Sequence, residues 1–555
     1  MCALALGLAT ACSQDSLSPP DATYDGVWQE VVRQARERAR APFRAPDSTL
    51  SRNAANLSYG QMRGIRFRSD GAAWRDEASF QLQFFHPGGA FRTPVRIHLV
   101  EDDSVRPLPF DPALFHFGDE VAGLDLTLPP EAGYAGFRIL HPMNDRARWD
   151  EVVSFLGASY FRLLGPEQVY GLSSRGLAVN VADPEGEEFP DFVAFWLVKP
   201  APGDRSMTFF GLLDGPSVSG AYRFRLTPGT PSGIESKAGS SPPGDPEARA
   251  GAAAGGRSGD DGAGTVLAVE ARLFARRDVR KLGVAALTSM YLHGTFRSGG
   301  DDDFRPRVHD SEGLLMHTGR GEWIWRPLTN GASLRVTSLR DEAPGGFGLA
   351  QRERRFESYL DLEALYHRRP SQWVAVDGGD WGSGGVELVE FPTASEFNDN
   401  IVAYWSPDGA MKEGEERTFR YRLVTFRERF EGGSLPGGDL EGQSLGQVVR
   451  TRIGWDGLPG QSDPAPRSQR RVVVDFQGGP LERLGPTDSV EAVVQTSSGT
   501  ISELLVLPTP GGGRRATFSL RPRSGKGADI RLYLRRAGEV VTETWSYLWE
   551  PGLAH

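Results

Sequence analysis

Phe80-Gln81-Leu82-Gln83-Phe84 and Val95-Arg96-Ile97-His98-Leu99 alternate apolar and polar side chains with a period of two. Successive side chains of a strand point to opposite faces, so this alternation predicts strands with one buried face. Working outward, 65–68, 137–140, 178–181, 192–198, 207–213, 222–226, 266–274 and 419–423 read the same way. The chain of 555 residues carries 68 Gly and 39 Pro, which punctuate these runs. Short strands between turn residues imply an all-β fold, here a large β-sandwich over 22–430. Helical spacing appears at 25–40, where Val27, Trp28, Val31, Val32 and Ala35 share one face, with Asp25 as the expected cap and Pro42 as the stop. A short helix is also expected at 149–155.

Two segments interrupt the strand pattern. Residues 230–264 are rich in Gly, Ser, Ala, Pro and Asp and hold almost nothing that could form a core, so they read as a disordered insert. EGGSLPGGDLE (431–441) reads as a linker. Beyond it, strand-like runs at 471–476, 491–494, 504–507, 517–520, 530–534 and 540–549 predict a small immunoglobulin-like sandwich over 442–555, without the buried cysteine pair of antibody domains.

The formal charge is −10, with acids and bases interspersed. No long basic stripe exists to neutralise phosphates, which argues against a nucleic-acid partner. Both cysteines, Cys2 and Cys12, lie in the first twelve residues, so the rest of the chain has no disulfide framework. Residues 3–11 are small and apolar and Ala9-Thr10-Ala11 fits an A-x-A cleavage site, so 1–12 reads as a signal-peptide remnant, although the basic n-region is missing. Cys12 after Ala11 also allows a lipid-anchored form. No other apolar run approaches the ~20 residues of a membrane span, so no transmembrane segment is expected in the mature chain.

The nine histidines are scattered and no Cys/His spacing suits a metal. Asp301-Asp302-Asp303 lacks the register of a calcium loop. GLSSRG (171–176) is not G-x-S-x-G, and PGGFG (344–348) reads as a turn rather than a phosphate loop. No metal or organic cofactor is expected. Carboxylates beside aromatics remain, in DDDFRPRVHDSEGLLMHTGRGEWIWRPL (301–328) and ELVEFPTASEFNDNIVAYW (387–405). Aromatic faces stack on sugar rings, amides and guanidinium groups bond hydroxyls, and paired carboxyl groups cleave glycosidic bonds. Asp310 and Asp399 are the candidate pair. Asp399, between Asn398 and Asn400, equally suits a turn. Trp323 and Trp325, at i and i+2, suit either a stacking platform or a core pair.

GVWQEVVRQARERARAPF (26–43), LGASYFRLLG (156–165), YGLSSRGLAVN (170–180), GEEFPDFVAFWL (186–197), GFGLAQRERRFESYLDLEALYHRRPSQWV (346–374) and the two acidic stretches stand in the order of a known family. The chain resembles the periplasmic glucan biosynthesis protein G and D family over most of its length; the 230–264 insert departs from that pattern. The resemblance implies a galactose-mutarotase-like sandwich with a long cleft, followed by an immunoglobulin-like domain. It implies a periplasmic location and a part in making β-1,2-linked glucan, with that glucan and the inner-membrane synthesis machinery as partners. Members are similar to anomer-inverting endo-β-1,2-glucanases, in which the Asp of E-x-x-D-N is the general acid and the first Asp of H-D-S-[DE]-G the base. Those positions are Asp399 and Asp310, with Glu312 as the second acid of the latter motif. Tyr366, Arg369, Trp323, Trp325, Arg320 and Trp381 are candidates for the sugar-binding shell, each also open to a structural role. Two functions stay open: a glucanase that trims the polymer, and a non-catalytic glucan-binding scaffold.

Overall fold

The computed structural model describes residues 22–551 except 47–49, 103, 231–263, 295–301, 428, 431, 436–437, 459 and 524. The expected signal remnant, Cys12, Asp301 and nearly all of the insert lie outside the described residues. The fold is an all-β sandwich. A ten-stranded sheet has the order 81–85, 136–145, 148–156, 160–163, 173–175, 282–289, 401–407, 383–390, 335–342, with 178–179 attached to 282–289. It faces a fifteen-stranded sheet that includes 96–101, 191–198, 207–214, 218–227, 266–275, 416–426, 371–379, 346–350, 313–317 and 323–327. Leu82, Phe84, Phe137 and Phe155 of the first sheet meet Phe195, Phe209 and Phe224 of the second in one core. The alternation read in 80–84 is therefore the pleat of a strand with Leu82 and Phe84 in this core, and Gln81 and Gln83 on its other face are buried as well rather than exposed.

The helix Ala22–Arg40 packs on the outer face of the larger sheet through Trp28, Val31, Val32 and Ala35 against Trp196, Phe210 and Ala221. It stops two residues before Pro42. Asp25 sits in its first turn rather than at its cap. The helix expected at 149–155 is instead the strand Arg148–Leu156, paired on both sides. Val153 and Phe155 point into the inter-sheet core, and β-branched and aromatic residues suit that half-buried surface better than a helix face. The segment expected as a plain linker holds a hairpin, Gly432–Leu435 with Gly438–Glu441.

The C-terminal strands form a second core from Val472, Val474, Phe476, Phe518, Leu532 and Trp545. Four of them, 447–455, 470–477, 514–521 and 500–508, make a separate sheet. Three others, 491–496, 528–536 and 544–549, continue the fifteen-stranded sheet, because Thr544–Trp549 pairs in parallel with Trp323–Pro327. A buried ion pair reinforces this seam. Arg352 donates to both oxygens of Glu543 at 2.6 and 2.9 Å and lies 3.6 Å over the Trp325 ring. Glu543 has no solvent exposure. Arg352→Ala leaves a buried carboxylate without its counter-charge, and is expected to cost about 3–5 kcal/mol, read as a lowered urea midpoint. Arg352→Lys, which keeps the charge but not the planar fork, is expected to lose less.

Candidate active site

The site is assembled around the backbone of Tyr291. The short strand Tyr291–His293 pairs with Val308–His309, placing Tyr291 opposite His309. Asn400 holds the same residue from the other side: its Oδ1 accepts from the Tyr291 N–H at 2.8 Å, and its Nδ2 donates to the Tyr291 and Phe391 carbonyls at 3.1 and 3.0 Å. Asp310 follows His309, and Asp399 precedes Asn400. One clamp therefore brings both carboxyl groups to one place, although 89 positions separate them in sequence.

The shell behind Asp310 is fully bonded. Its N–H donates to the Met290 carbonyl at 2.8 Å. His309 stacks on Tyr291, and its Nδ1 meets Gln351 Oε1 at 2.9 Å while Gln351 Nε2 donates to the His309 and Tyr366 carbonyls. Those donations leave Gln351 Oε1 as an acceptor, so His309 carries its proton on Nδ1. Burial holds its pKa at about 3, so it stays neutral. Ser311 bonds Ser289 at 2.9 Å. Glu312 accepts from Arg307 Nη1 at 2.6 Å and from the N–H groups of Arg352 and Glu353 at 2.8 Å each, a structural use of that carboxylate.

The two aspartates differ in environment. Asp310 is 4% exposed and its Oδ1 accepts from Arg369 Nη1. Burial pushes its pKa up to about 6; Arg369 and Arg162 oppose the rise and the Asp399 charge adds to it. Asp399 reaches solvent, yet surrounding protein walls it in enough to desolvate it. That desolvation raises its pKa against the pull of Arg162 and Arg369. Among the described residues its carboxyl group makes no side-chain hydrogen bond or ion pair. Arg162 acts on both acids. It lies on the strand Tyr160–Leu163, where Phe161 and Leu163 enter the core and Tyr160 and Arg162 share the other face. Tyr366 is buried, its hydroxyl donates to Glu396 Oε2 at 2.8 Å, and the Arg369 guanidinium lies 4.3 Å from its ring centre. Burial and then the Glu396 bond raise its phenol pKa, so Tyr366 acts as a donor.

Residues 27–238 and 257–549 match the family described as "Periplasmic glucan biosynthesis protein, MdoG". The chain belongs to the periplasmic glucan biosynthesis protein family. It is 41% identical to glucans biosynthesis protein G of Ralstonia nicotianae over 94% of this chain and 96% of that one. It is 37% identical to the probable glucans biosynthesis protein D of Shewanella oneidensis, over 99% and 93%, and 39% identical to glucans biosynthesis protein D of Xanthomonas campestris pv. campestris, over 95% and 90%. Among the described residues of this family member, no helix is long and apolar enough to cross a membrane.

Of the eight site residues expected from the sequence of this glucan biosynthesis protein, Asp310, Asp399, Tyr366 and Arg369 come together. Trp323, Trp325 and Trp381 do not. Trp323 stacks on His317 at 4.4 Å and packs on Trp373, and Trp325 lies under Arg352; both belong to the core shared with the C-terminal strands. A sugar-stacking platform needs an open ring face, and here both faces are covered. Trp381 is buried against Trp405 and Phe419 in the main core, and its Nε1 donates to the Gly378 carbonyl. Arg320 is exposed in the turn between Gly313–His317 and Trp323–Pro327, at the end of that hairpin remote from Asp310. Sequence reading missed Arg162, Glu396 and Arg305, whose Nη1 donates to Glu396 Oε2 at 2.7 Å. For Glu396 the signal was present, since it is the first residue of the E-x-x-D-N run.

Asp310 titrates higher in the fold than in the unfolded chain, where its value is near 3.8. Its contribution to stability is therefore present below about pH 4 and is lost as pH rises to about 6. The stability difference between Asp310→Asn and wild type is expected to move in favour of the variant from pH 4 to pH 6 and to level off above. Urea midpoints at pH 4, 5, 6 and 7 measure it; a difference independent of pH would contradict the raised value.

Proposed function

We propose that this protein is an exported, anomer-inverting endo-glucanase acting on β-1,2-linked glucan, with Asp399 as general acid and Asp310 as general base. The observation that supports this most is the contrast within the pair. Asp399 is desolvated, reachable and, among the described residues, without an ion pair, which suits a carboxyl group that must hold a proton until it donates. Asp310 is clamped by Arg369, which favours its carboxylate, and a pKa of about 6 leaves it mostly ionised near neutrality while still basic enough to take a proton.

In this reading Asp399 gives its proton to the glycosidic oxygen as the bond from that oxygen to the anomeric carbon breaks. A water oxygen bonds the anomeric carbon from the opposite face and its proton passes to Asp310, through a sugar hydroxyl because Asp310 is nearly sealed. Arg162, facing both acids, steadies the pair. The chemistry calls for no metal or cofactor. The family and the expected signal remnant support a periplasmic site of action, with the glucan-synthesis machinery of the inner membrane as neighbour. The division near 431–441 would separate a glucan-acting sandwich from an immunoglobulin-like one.

A glucan-binding scaffold is the second reading, and the sealing of Asp310 by Arg369 favours it. Linear β-1,2-glucan tests both. Wild type is expected to yield shorter chains whose fresh reducing ends have the inverted anomer by NMR, with rates at least about a hundredfold lower in Asp399→Asn and Asp310→Asn. Affinity with no cleavage by wild type would leave the scaffold; cleavage that survives either substitution would remove that aspartate from its role.

A further inference from the structure

Arg305 is the hub of an ionic knot beside the two aspartates. Its Nε and Nη2 donate to Asp303 Oδ1 and Oδ2 at 3.0 Å each, and its Nη1 donates to Asp361 Oδ2 at 3.0 Å and to Glu396 Oε2 at 2.7 Å. Asp303 also lies 3.6 Å from His293 Nε2. The knot joins three segments that have no strand pairing with one another: the approach to H-D-S-E-G, the loop before strand Ser371–Gly379, and the approach to Asp399. The loop is held in a costly shape. Leu360 and Leu365 have φ of +57° and +49°, a region that β-carbon-bearing residues avoid. Asp361 fixes it by accepting from the N–H groups of Glu363 and Ala364 at 2.9 and 2.7 Å while bound to Arg305.

The loop delivers Tyr366 and Arg369. Glu396 Oε2, already on Arg305, accepts the Tyr366 hydroxyl; the Tyr366 ring carries the Arg369 guanidinium; and Arg369, with its Nε on the Ala364 carbonyl at 3.1 Å, donates to Asp310. We propose that Glu396, held by Arg305, is a positioning residue for Asp310: through Tyr366 it fixes the guanidinium that pairs with that carboxylate and so sets when the carboxylate is charged. The charged and titratable groups facing Asp310 are Arg369, Arg162, Asp399 and Tyr366. Those facing Glu396 are Arg305, Tyr366 and Asp361, which shares Arg305 Nη1 with it. Glu396 lies three residues before Asp399, so one short segment serves both acids. The inference rests on the reading of Asp310 as the base, but its first test needs no catalysis.

The test repeats the stability titration of the Asp310→Asn pair in a Glu396→Ala background. With Arg369 loosened, the pH at which the difference levels off is expected to rise above 6 by about one unit. Tyr366→Phe, which removes the hydroxyl alone, is expected to act in the same direction. Glu396→Gln, which keeps an acceptor for that hydroxyl, is expected to recover part of the shift. A residue that only holds the loop together would lower urea midpoints equally at every pH, and an unmoved levelling point in both Glu396→Ala and Tyr366→Phe overturns the proposal. In kinetics on linear glucan, Glu396→Ala is expected to raise the acid-limb pKa and lower kcat about tenfold with KM within twofold. If wild type does not cleave, the glucanase reading falls while the titration still decides the role of Glu396.

Discussion

The arrangement of the site depends on one buried amide. Asn400 bonds the Tyr291 backbone through both its oxygen and its nitrogen, filling the place a neighbouring strand would take. A buried backbone N–H or C=O without a partner costs about 1–3 kcal/mol, so this clamp has few alternatives. Because Tyr291 is also the partner of His309, the clamp turns two distant motifs into neighbours. It also explains why an Asp between two asparagines need not be a mere turn. Asn398 serves the turn, donating to Thr393 Oγ1, and Asn400 serves the core, while the Asp399 carboxyl group between them has no side-chain partner among the described residues.

A second chain of contacts runs away from the site. Glu312 binds the N–H groups of Arg352 and Glu353, and the Arg352 side chain binds Glu543 of the C-terminal strands. Glu543 also accepts from Gln443 and from the Val448 N–H at 2.7 Å. The second core is thus bonded to the segment directly behind Asp310, and Trp325 lies at the junction. The tryptophans that a sequence reader would assign to sugar are used to join two sheets. Glu312 is easy to place in this light: its carboxylate reaches Arg307 on one oxygen and two backbone N–H groups on the other.

Much of the fold was legible because its signal is local. Alternation at 80–84 and 95–99 reports the pleat directly, and the stripe of Trp28, Val31, Val32 and Ala35 reports a helix face. The misreading of 149–155 shows the limit. Its periodicity is broken because the pairing shifts register at Val152, which joins Val153 in the same core. The site was legible only where motifs mark it. Asp310 and Asp399 stand in recognisable runs, whereas Arg162 is one arginine among many and becomes informative only when strand pairing places it beside both acids. Arg320 and Trp381 are the converse, residues of suitable chemistry that the topology carries elsewhere. Residue type gives capability; sheet order gives the address.

The environments of the two carboxyl groups are built from the same cations used unequally. Arg369 touches Asp310 and acts on Asp399 only through space; Arg162 acts on both without bonding either carboxylate. An arginine bonded to each acid would favour both carboxylates alike, and with neither bonded burial would raise both pKa values without that opposition. The asymmetry follows from the loop that carries Arg369, since its backbone is anchored on the Asp310 side where Gln351 Nε2 donates to the Tyr366 carbonyl. A single guanidinium placed by that loop thus gives two equivalent side chains different electrostatic surroundings, which is the difference the proposed acid and base roles need.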